Sequence, residues 1–183
     1  NYEDKIKFDD LTTYEKFIVI KLDDLVTEYK KHCTSYRFDL MANSLYSFIW
    51  NEYCDWFVEI SKVEMENGNE YTKNVLIYTL QIILKLCHPI IPYITEEIWH
   101  EMNSLGYTKD QILMNAKFPS QQKIFKDDSI DTEISLLKEF INKIRKTRSD
   151  LNVHPKIEID IYCFTKDDLI KKFLKNNNSI ICS

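Results

Sequence analysis

The fold is decided by residues 37–63, which read RFDLMANSLYSFIWNEYCDWFVEISKV. Apolar side chains recur three or four positions apart along this stretch, which is the spacing of one face of an α-helix. A second apolar stripe, which includes Tyr46 and Trp50, follows another side. The pattern predicts one long helix with neighbours on more than one flank. Large aromatics in such a setting favour the core, where we place Trp50, Trp56 and Trp99.

Further helices are predicted on both sides of this stretch. The first covers about residues 12–32 and begins at Thr12, which with Glu15 matches a capping box. Pro89 and Pro92 interrupt a later helical pattern, because proline lacks the backbone donor that a helix needs. The remaining helices are predicted at about residues 72–87, 92–105 and 129–150. Short connections favour antiparallel neighbours, so we predict a mainly α, antiparallel helical bundle.

The periodicity changes after residue 150. Residues 156–162 alternate between apolar and polar side chains, as in a half-buried strand. A short helix is predicted from about residue 165 to 175, and residues 180–182 match the start of a second strand. We therefore predict a helical domain at residues 1–150 and the start of a small, incomplete α/β unit at residues 151–183.

Composition excludes several classes of protein. The chain has only two glycines, which excludes glycine-rich phosphate loops. Its formal net charge of −5 provides no global basic field, so we expect no DNA partner. Five scattered cysteines indicate reduced thiols in a cytoplasmic protein rather than a disulfide framework. The longest apolar run is too short to cross a bilayer, so we expect no membrane contact.

An antiparallel bundle places the turn between its first two helices beside the break between its third and fourth. This end combines cations, aromatics and carboxylates. Aromatic faces stack on unpaired bases, cations contact phosphates, and a carboxylate accepts from an exocyclic amine. We therefore predict an RNA-binding surface, although a solvated charge cluster at a helix end is the alternative. The candidate residues are Lys21, Lys31, Arg37, Phe38, Glu96 and Glu97.

Other candidate sites are weaker. Arg145 and Arg148 share a helix face, where they could contact a phosphate of an RNA backbone or form a structural ion pair, and both possibilities stay open. Glu97 and His100 form one Glu-x-x-His motif, but a di-iron centre needs a second copy and two more carboxylates. We therefore predict no metal site and no catalytic residue in this chain.

Two segments resemble a known family. Residues 37–62 and residues 88–99, which read HPIIPYITEEIW, are similar to the anticodon-binding domain of the valyl-tRNA synthetases. Together with weaker similarities elsewhere, these segments cover nearly the whole chain. Isoleucyl and leucyl relatives share the helical fold, whereas residues 50–56, WNEYCDW, point to valine. The resemblance implies an antiparallel bundle of the class I synthetase anticodon-binding type.

The resemblance also implies a function. The parent enzyme is expected to be a cytoplasmic ligase that joins valine to its tRNA with ATP and magnesium, in a catalytic domain whose ATP-site signatures are absent here. We expect no cofactor in this chain. Its expected partners are the anticodon stem-loop of tRNA(Val) and the remaining domains of the synthetase. The alternatives are the same module of an isoleucyl- or leucyl-tRNA synthetase, or a helical protein-interaction module.

Overall fold

The computed structural model describes residues 6–122, 127–154 and 157–182. These residues form two compact units, Asn1–Asp127 and Asp128–Ser183. Helices dominate each unit, which confirms the mainly α class. The domain division expected after residue 150 stays a prediction.

The first helix, α1, spans Thr13–Thr34. Its capping box is complete, since the Glu15 amide donates to Thr12 Oγ1 at 3.4 Å and the Thr12 amide donates to Glu15 Oε2 at 2.9 Å. The two bonds satisfy backbone donors that the helix start would otherwise leave open. The predicted start of this helix is confirmed.

One continuous helix follows after a short turn. It consists of α2, Phe38–Ser47, a π-helical segment, Phe48–Phe57, and α3, Val58–Glu66. The backbone keeps right-handed helical dihedrals through both junctions, so the chain does not break. The prediction of one long helix is confirmed, whereas its π-helical middle was not foreseen.

The π-helical segment changes which aromatic side chains are buried. Phe48 and Tyr53 lie five positions apart, the spacing of a π-helix, and both are buried. Trp50 is 61% exposed. Its predicted place in the core is therefore wrong, because a prediction based on 3.6 residues per turn loses register where the turns widen. Trp56 and Trp99 are buried as predicted.

Two more helices complete the first unit. Helix α4 spans Glu70–Cys87 and helix α5 spans Pro92–Ser104, with the proline in its first turn. The break between them confirms the prediction from Pro89 and Pro92. Beyond α5, a short 3₁₀ turn, Leu113–Asn115, packs Leu113 into a small cluster with Trp99 and Met102.

The main core lies among α1, the long helix and α4. Its most deeply buried side chains include Ile18 and Leu22 of α1 and Val75 and Leu86 of α4. They come from helices far apart in sequence, so the burial that stabilises the bundle also fixes how α1 and α4 lie against each other.

The second unit contains helices α6, Asp128–Asp150, α7, Asp168–Asn176, and α8, Asn178–Ile181. Residues 157–162 form no strand, and residues 178–181 are helical, so both strand predictions are wrong over the described residues. Alternation specifies only which face a side chain takes, whereas a strand also needs a backbone partner. Part of the predicted first strand, Lys156, lies outside the described residues.

Across the three described ranges, no helix is long and apolar enough to cross a membrane.

Candidate nucleic-acid interface

Helices α1 and α4 lie side by side and run in the same direction. Near their starts, Thr72 Oγ1 donates to Glu15 Oε1 at 2.7 Å. About 21 Å further along α1, Tyr29 shares the core with Cys87 at the end of α4. Burial, followed by the neighbouring Cys33 and Cys87 thiols, raises the pKa of the Tyr29 phenol. The turns that follow the two helices therefore lie at one end of the bundle, as predicted; we call this end the turn pole, residues 34–38 and 88–97.

The α1–α2 turn presents two aromatic rings to solvent. Tyr36 is 81% exposed and Phe38 is 53% exposed. Their ring centroids lie 6.3 Å apart with an interplanar angle of 88°, an edge-to-face contact. This geometry leaves ring faces accessible for stacking. Phe38 was predicted as a stacking residue, whereas Tyr36 was not among the candidates.

Arg37 lies between these two residues in the sequence, and its guanidinium is already oriented by Asp39. Its Nε donates to Asp39 Oδ1 at 2.9 Å and its Nη2 donates to Asp39 Oδ2 at 2.7 Å. These bonds lower the pKa of the Asp39 carboxyl to about 2, so the pair stays charged at neutral pH. A guanidinium has five N–H donors, so three remain for a further acceptor such as a phosphate oxygen.

The start of α5 contributes the other half of the turn pole. Tyr93 is 92% exposed, and Glu97, one turn further, is also exposed. Tyr93 was not among the predicted site residues. Its position directly after Pro92, in a helix turn that begins at the end of the bundle, is the signal that could have identified it. Together the two turns expose the apolar side chains Tyr36, Phe38, Ile90, Ile91, Tyr93 and Ile94.

The two predicted carboxylates differ in their surroundings. Glu96 Oε1 accepts from the Leu113 amide at 2.9 Å, and Glu96 Oε2 lies 3.8 Å from His88 Nε2. His88 Nδ1 in turn lies 2.8 Å from Thr95 Oγ1. Glu96 therefore holds the Leu113 turn against α5. Glu97 has an exposed carboxylate and is the better placed acceptor for a ligand.

The two candidate lysines do not lie together. Lys31 is exposed at the end of α1, close to the turn. Lys21 lies about 15 Å further back along the helix, half-buried, with its Nζ 5.2 Å from the centroid of the Phe17 ring. It lines a shallow groove with three carboxylates, Asp24, Glu28 and Glu52. The three carboxylates disfavour a phosphate at this lysine. The distance along α1 separates Lys21 from the turn pole.

The two arginines of α6 lie in the second unit. Arg148 Nη2 donates to the backbone oxygens of His154 at 3.0 Å and Ile157 at 2.7 Å. Its guanidinium thus fastens the chain that follows α6, and the two predicted roles of this arginine stay predictions. Arg145 is exposed. Contact of either arginine with RNA stays a prediction.

A second exposed aromatic pair lies on the long helix. The rings of Tyr46 and Trp50 are stacked, with centroids 6.3 Å apart and an interplanar angle of 5°. The sequence pattern placed the stripe to which they belong against another helix, but Tyr46 and Trp50 face solvent in the described structure. Residues 38–61 contain no lysine, arginine or histidine. This face therefore lacks the cations that contact phosphates.

Across the described parts of the chain, no group of three or more histidine, cysteine, aspartate or glutamate side chains is arranged to hold a metal ion.

The family model described as "Anticodon-binding domain of tRNA ligase" matches residues 15–163. This chain belongs to that family. The resemblance seen in the sequence is thereby confirmed for an anticodon-binding domain, and the match includes both turns of the turn pole. It also includes α6, which lies in the second unit.

Several curated relatives of this anticodon-binding domain share one name. The chain is 38% identical over 175 residues to "Valine--tRNA ligase" of Buchnera aphidicola subsp. Schizaphis graminum, with 93% of the chain and 17% of that protein covered. It is 36% identical over 160 residues to "Valine--tRNA ligase" of Xanthomonas campestris pv. campestris (strain B100), covering 82% and 17%. The chain thus spans about one sixth of the length of these relatives.

Proposed function

We propose that this chain recognises the anticodon stem-loop of a valine tRNA, as part of a valine–tRNA ligase. Membership of the anticodon-binding family supports tRNA recognition, and the names of the relatives support valine. In this proposal the chain positions the tRNA, while aminoacylation takes place in other domains of the parent enzyme. ATP and magnesium act in those domains, whose signatures this sequence lacks. A cytoplasmic location belongs to the same proposal.

The observation that carries the proposal is the turn pole. Glu15 with Thr72 and Tyr29 with Cys87 align α1 with α4, which brings two turns with exposed aromatics to the same end of the bundle. Unpaired bases of an RNA loop can stack on such rings. The exposed cations Lys31 and Arg37 flank the first turn, and an exposed carboxylate lies beside the second.

Each side chain has a proposed role. Phe38 stacks on an anticodon base, and Arg37 and Lys31 contact phosphates of the loop. Valine anticodons end in adenine and then cytosine, and both bases carry an exocyclic amine. Glu97 accepts a hydrogen bond from one of these amines, since Glu96 is already engaged by the Leu113 amide. Lys21 is the weakest member of the proposed set.

The proposal is tested by titrating the chain with two RNA hairpins that differ only in the anticodon. We expect the valine anticodon hairpin to bind more tightly than one in which the adenine and cytosine are replaced by bases without exocyclic amines. Equal affinities would contradict anticodon recognition. A hairpin with the isoleucine anticodon and one with a leucine anticodon extend the series and test the two related alternatives.

Replacement of Phe38 provides the matched variant. Phe38→Ala should weaken binding of the valine hairpin by about 1 to 3 kcal/mol, the usual loss from one base stack. Tyr71→Ala is the control, because Tyr71 is also an exposed aromatic but lies at the start of α4, at the opposite end of the bundle. Similar losses in both variants would argue against a site at the turn pole.

The Tyr46–Trp50 pair favours a protein contact on a second surface. Its stacked rings are exposed on a part of the long helix, residues 38–61, that contains no cations, which suits a protein partner better than an RNA backbone. We propose that this face contacts a protein, such as another domain of the synthetase. Trp50→Ala should then leave hairpin affinity unchanged, and a clear loss of affinity would assign this face to RNA.

A further inference from the structure

Four helices of the described structure end in the same way. At the ends of α1, α3, α5 and α6, one residue takes a left-handed conformation, and the amide after it donates back to a carbonyl five positions earlier. The donor and acceptor pairs are Arg37 and His32 at 2.9 Å, Asn69 and Glu64 at 3.0 Å, Tyr107 and Met102 at 2.9 Å, and Val153 and Arg148 at 2.9 Å.

The residue in the left-handed position differs at one of these four ends. Gly68, Gly106 and Asn152 occupy it after α3, α5 and α6, with φ of 87°, 75° and 53°. These are the residue types that tolerate left-handed backbone. After α1 the position is held by Tyr36, with φ of 57°. A bulky residue destabilises this conformation, because its Cβ approaches the following carbonyl oxygen.

Packing of the Tyr36 ring does not offset this backbone strain. Tyr36 is 81% exposed, and the Phe38 ring that it contacts edge to face is itself more than half exposed. Little apolar area is therefore removed from water at this contact. Residues held in strained backbone conformations are concentrated at active sites and ligand-binding sites.

We propose that Tyr36 is a base-stacking residue of the anticodon site, held by its left-handed backbone so that its ring projects from the end of α1. This inference rests on the proposed function and adds a second stacking ring to it. Tyr36 and Phe38 form a perpendicular pair against which an unpaired nucleobase stacks. Lys30 and Lys31, both exposed, precede the turn and favour the phosphates of the same loop.

Tyr36→Gly distinguishes a binding role from a structural one. A structural role predicts a lower midpoint of thermal unfolding, whereas the binding role predicts a higher one. Glycine relieves the left-handed strain, so the midpoint of thermal unfolding should rise. Loss of the ring should weaken binding of the valine anticodon hairpin by about 5- to 150-fold, the equivalent of one base stack. Tyr36→Phe should keep both the strain and the affinity. Tyr36→Asn, a second residue suited to this backbone, should repeat the glycine result.

A matched control uses the same cap elsewhere. Gly68 ends α3 with φ of 87°, and a Cβ there would meet no atom within 4 Å, so strain alone limits substitution. Gly68→Tyr should lower the unfolding midpoint without changing hairpin affinity. Unchanged affinity in Tyr36→Gly, while Phe38→Ala weakens binding, would overturn this inference alone. No binding of the hairpin by the unaltered chain would overturn both this inference and the proposed function.

Discussion

Glu15 and Thr72 are joined by a buried hydrogen bond of 2.7 Å between side chains that lie 57 positions apart in the sequence. Glu15 is 1% exposed and also caps its own helix, so one carboxylate fixes both the start of α1 and the alignment of α4. This alignment brings the turn after each helix to the same end of the bundle. The proposed RNA site therefore depends on a contact at the opposite end.

We expect Thr72→Val to destabilise the fold by about 1 to 3 kcal/mol, because it leaves a buried carboxylate oxygen without its donor. Urea unfolding measures this change. Thr79→Val is the matched control: Thr79 is buried on the same helix, and its hydroxyl has no hydrogen-bond partner among the described residues. It should be neutral or stabilising. Equal destabilisation by the two variants would show that the Glu15 bond contributes nothing.

Substitutions at Glu96 and at Glu97 should have different effects. Glu97→Gln should weaken binding of the valine hairpin and leave stability unchanged, because the side chain is exposed. Glu96→Ala should speed hydrogen exchange at the Leu113 amide, which loses its acceptor. Isothermal titration and exchange mass spectrometry provide the two readouts. Normal binding by Glu97→Gln would remove this residue from the proposed site.

The lysines of α1 provide a test of the electrostatic contribution. Binding should weaken as salt rises, because contacts to phosphates release counterions. Lys31→Gln should reduce the slope of log K against log salt by roughly 1, the effect of one lost phosphate contact. Lys21→Gln, on the same helix but beside three carboxylates, should reduce the slope less than Lys31→Gln does. A reversed order of the two effects would place the RNA along the side of the bundle.

The three tryptophans should differ in their contribution to stability. Trp56→Ala and Trp99→Ala remove buried rings and should each destabilise the fold by about 3 to 5 kcal/mol. Trp50→Ala removes an exposed ring and should change stability by only about 0.5 kcal/mol. Urea denaturation followed by circular dichroism compares the three variants. A large loss at Trp50 would mean that the ring is buried in solution.

Local signals in the sequence predicted much of this fold. Thr12 and Glu15 form the expected capping box, and Pro92 begins a helix where proline spacing indicated one. Tertiary features were less accessible. The exposure of Trp50 follows from π-helical turns that a 3.6-residue period cannot represent. The expected strand at residues 157–162 is not formed, because alternation does not supply a backbone partner.

At the candidate site, too, the sequence predicted some features and missed those that depend on tertiary structure. Sequence topology predicted that the two turns share one end, since short connections favour antiparallel helices. It did not distinguish Glu96 from Glu97, because the acceptor role of Glu96 depends on the Leu113 amide, 17 positions away. A tyrosine gives no sequence signal for the left-handed backbone found at position 36, whereas a glycine or an asparagine there would have indicated it.

Hydroxyl-radical footprinting of the chain with and without the valine anticodon hairpin tests the central claim most directly. If the RNA binds at the turn pole, oxidation of Tyr36, Phe38 and Tyr93 should fall several-fold on binding. Oxidation of Tyr71 and Trp50, which are also exposed, should stay unchanged. Protection of Tyr71 or Trp50, with no protection of the three rings at the turn pole, would contradict the claim.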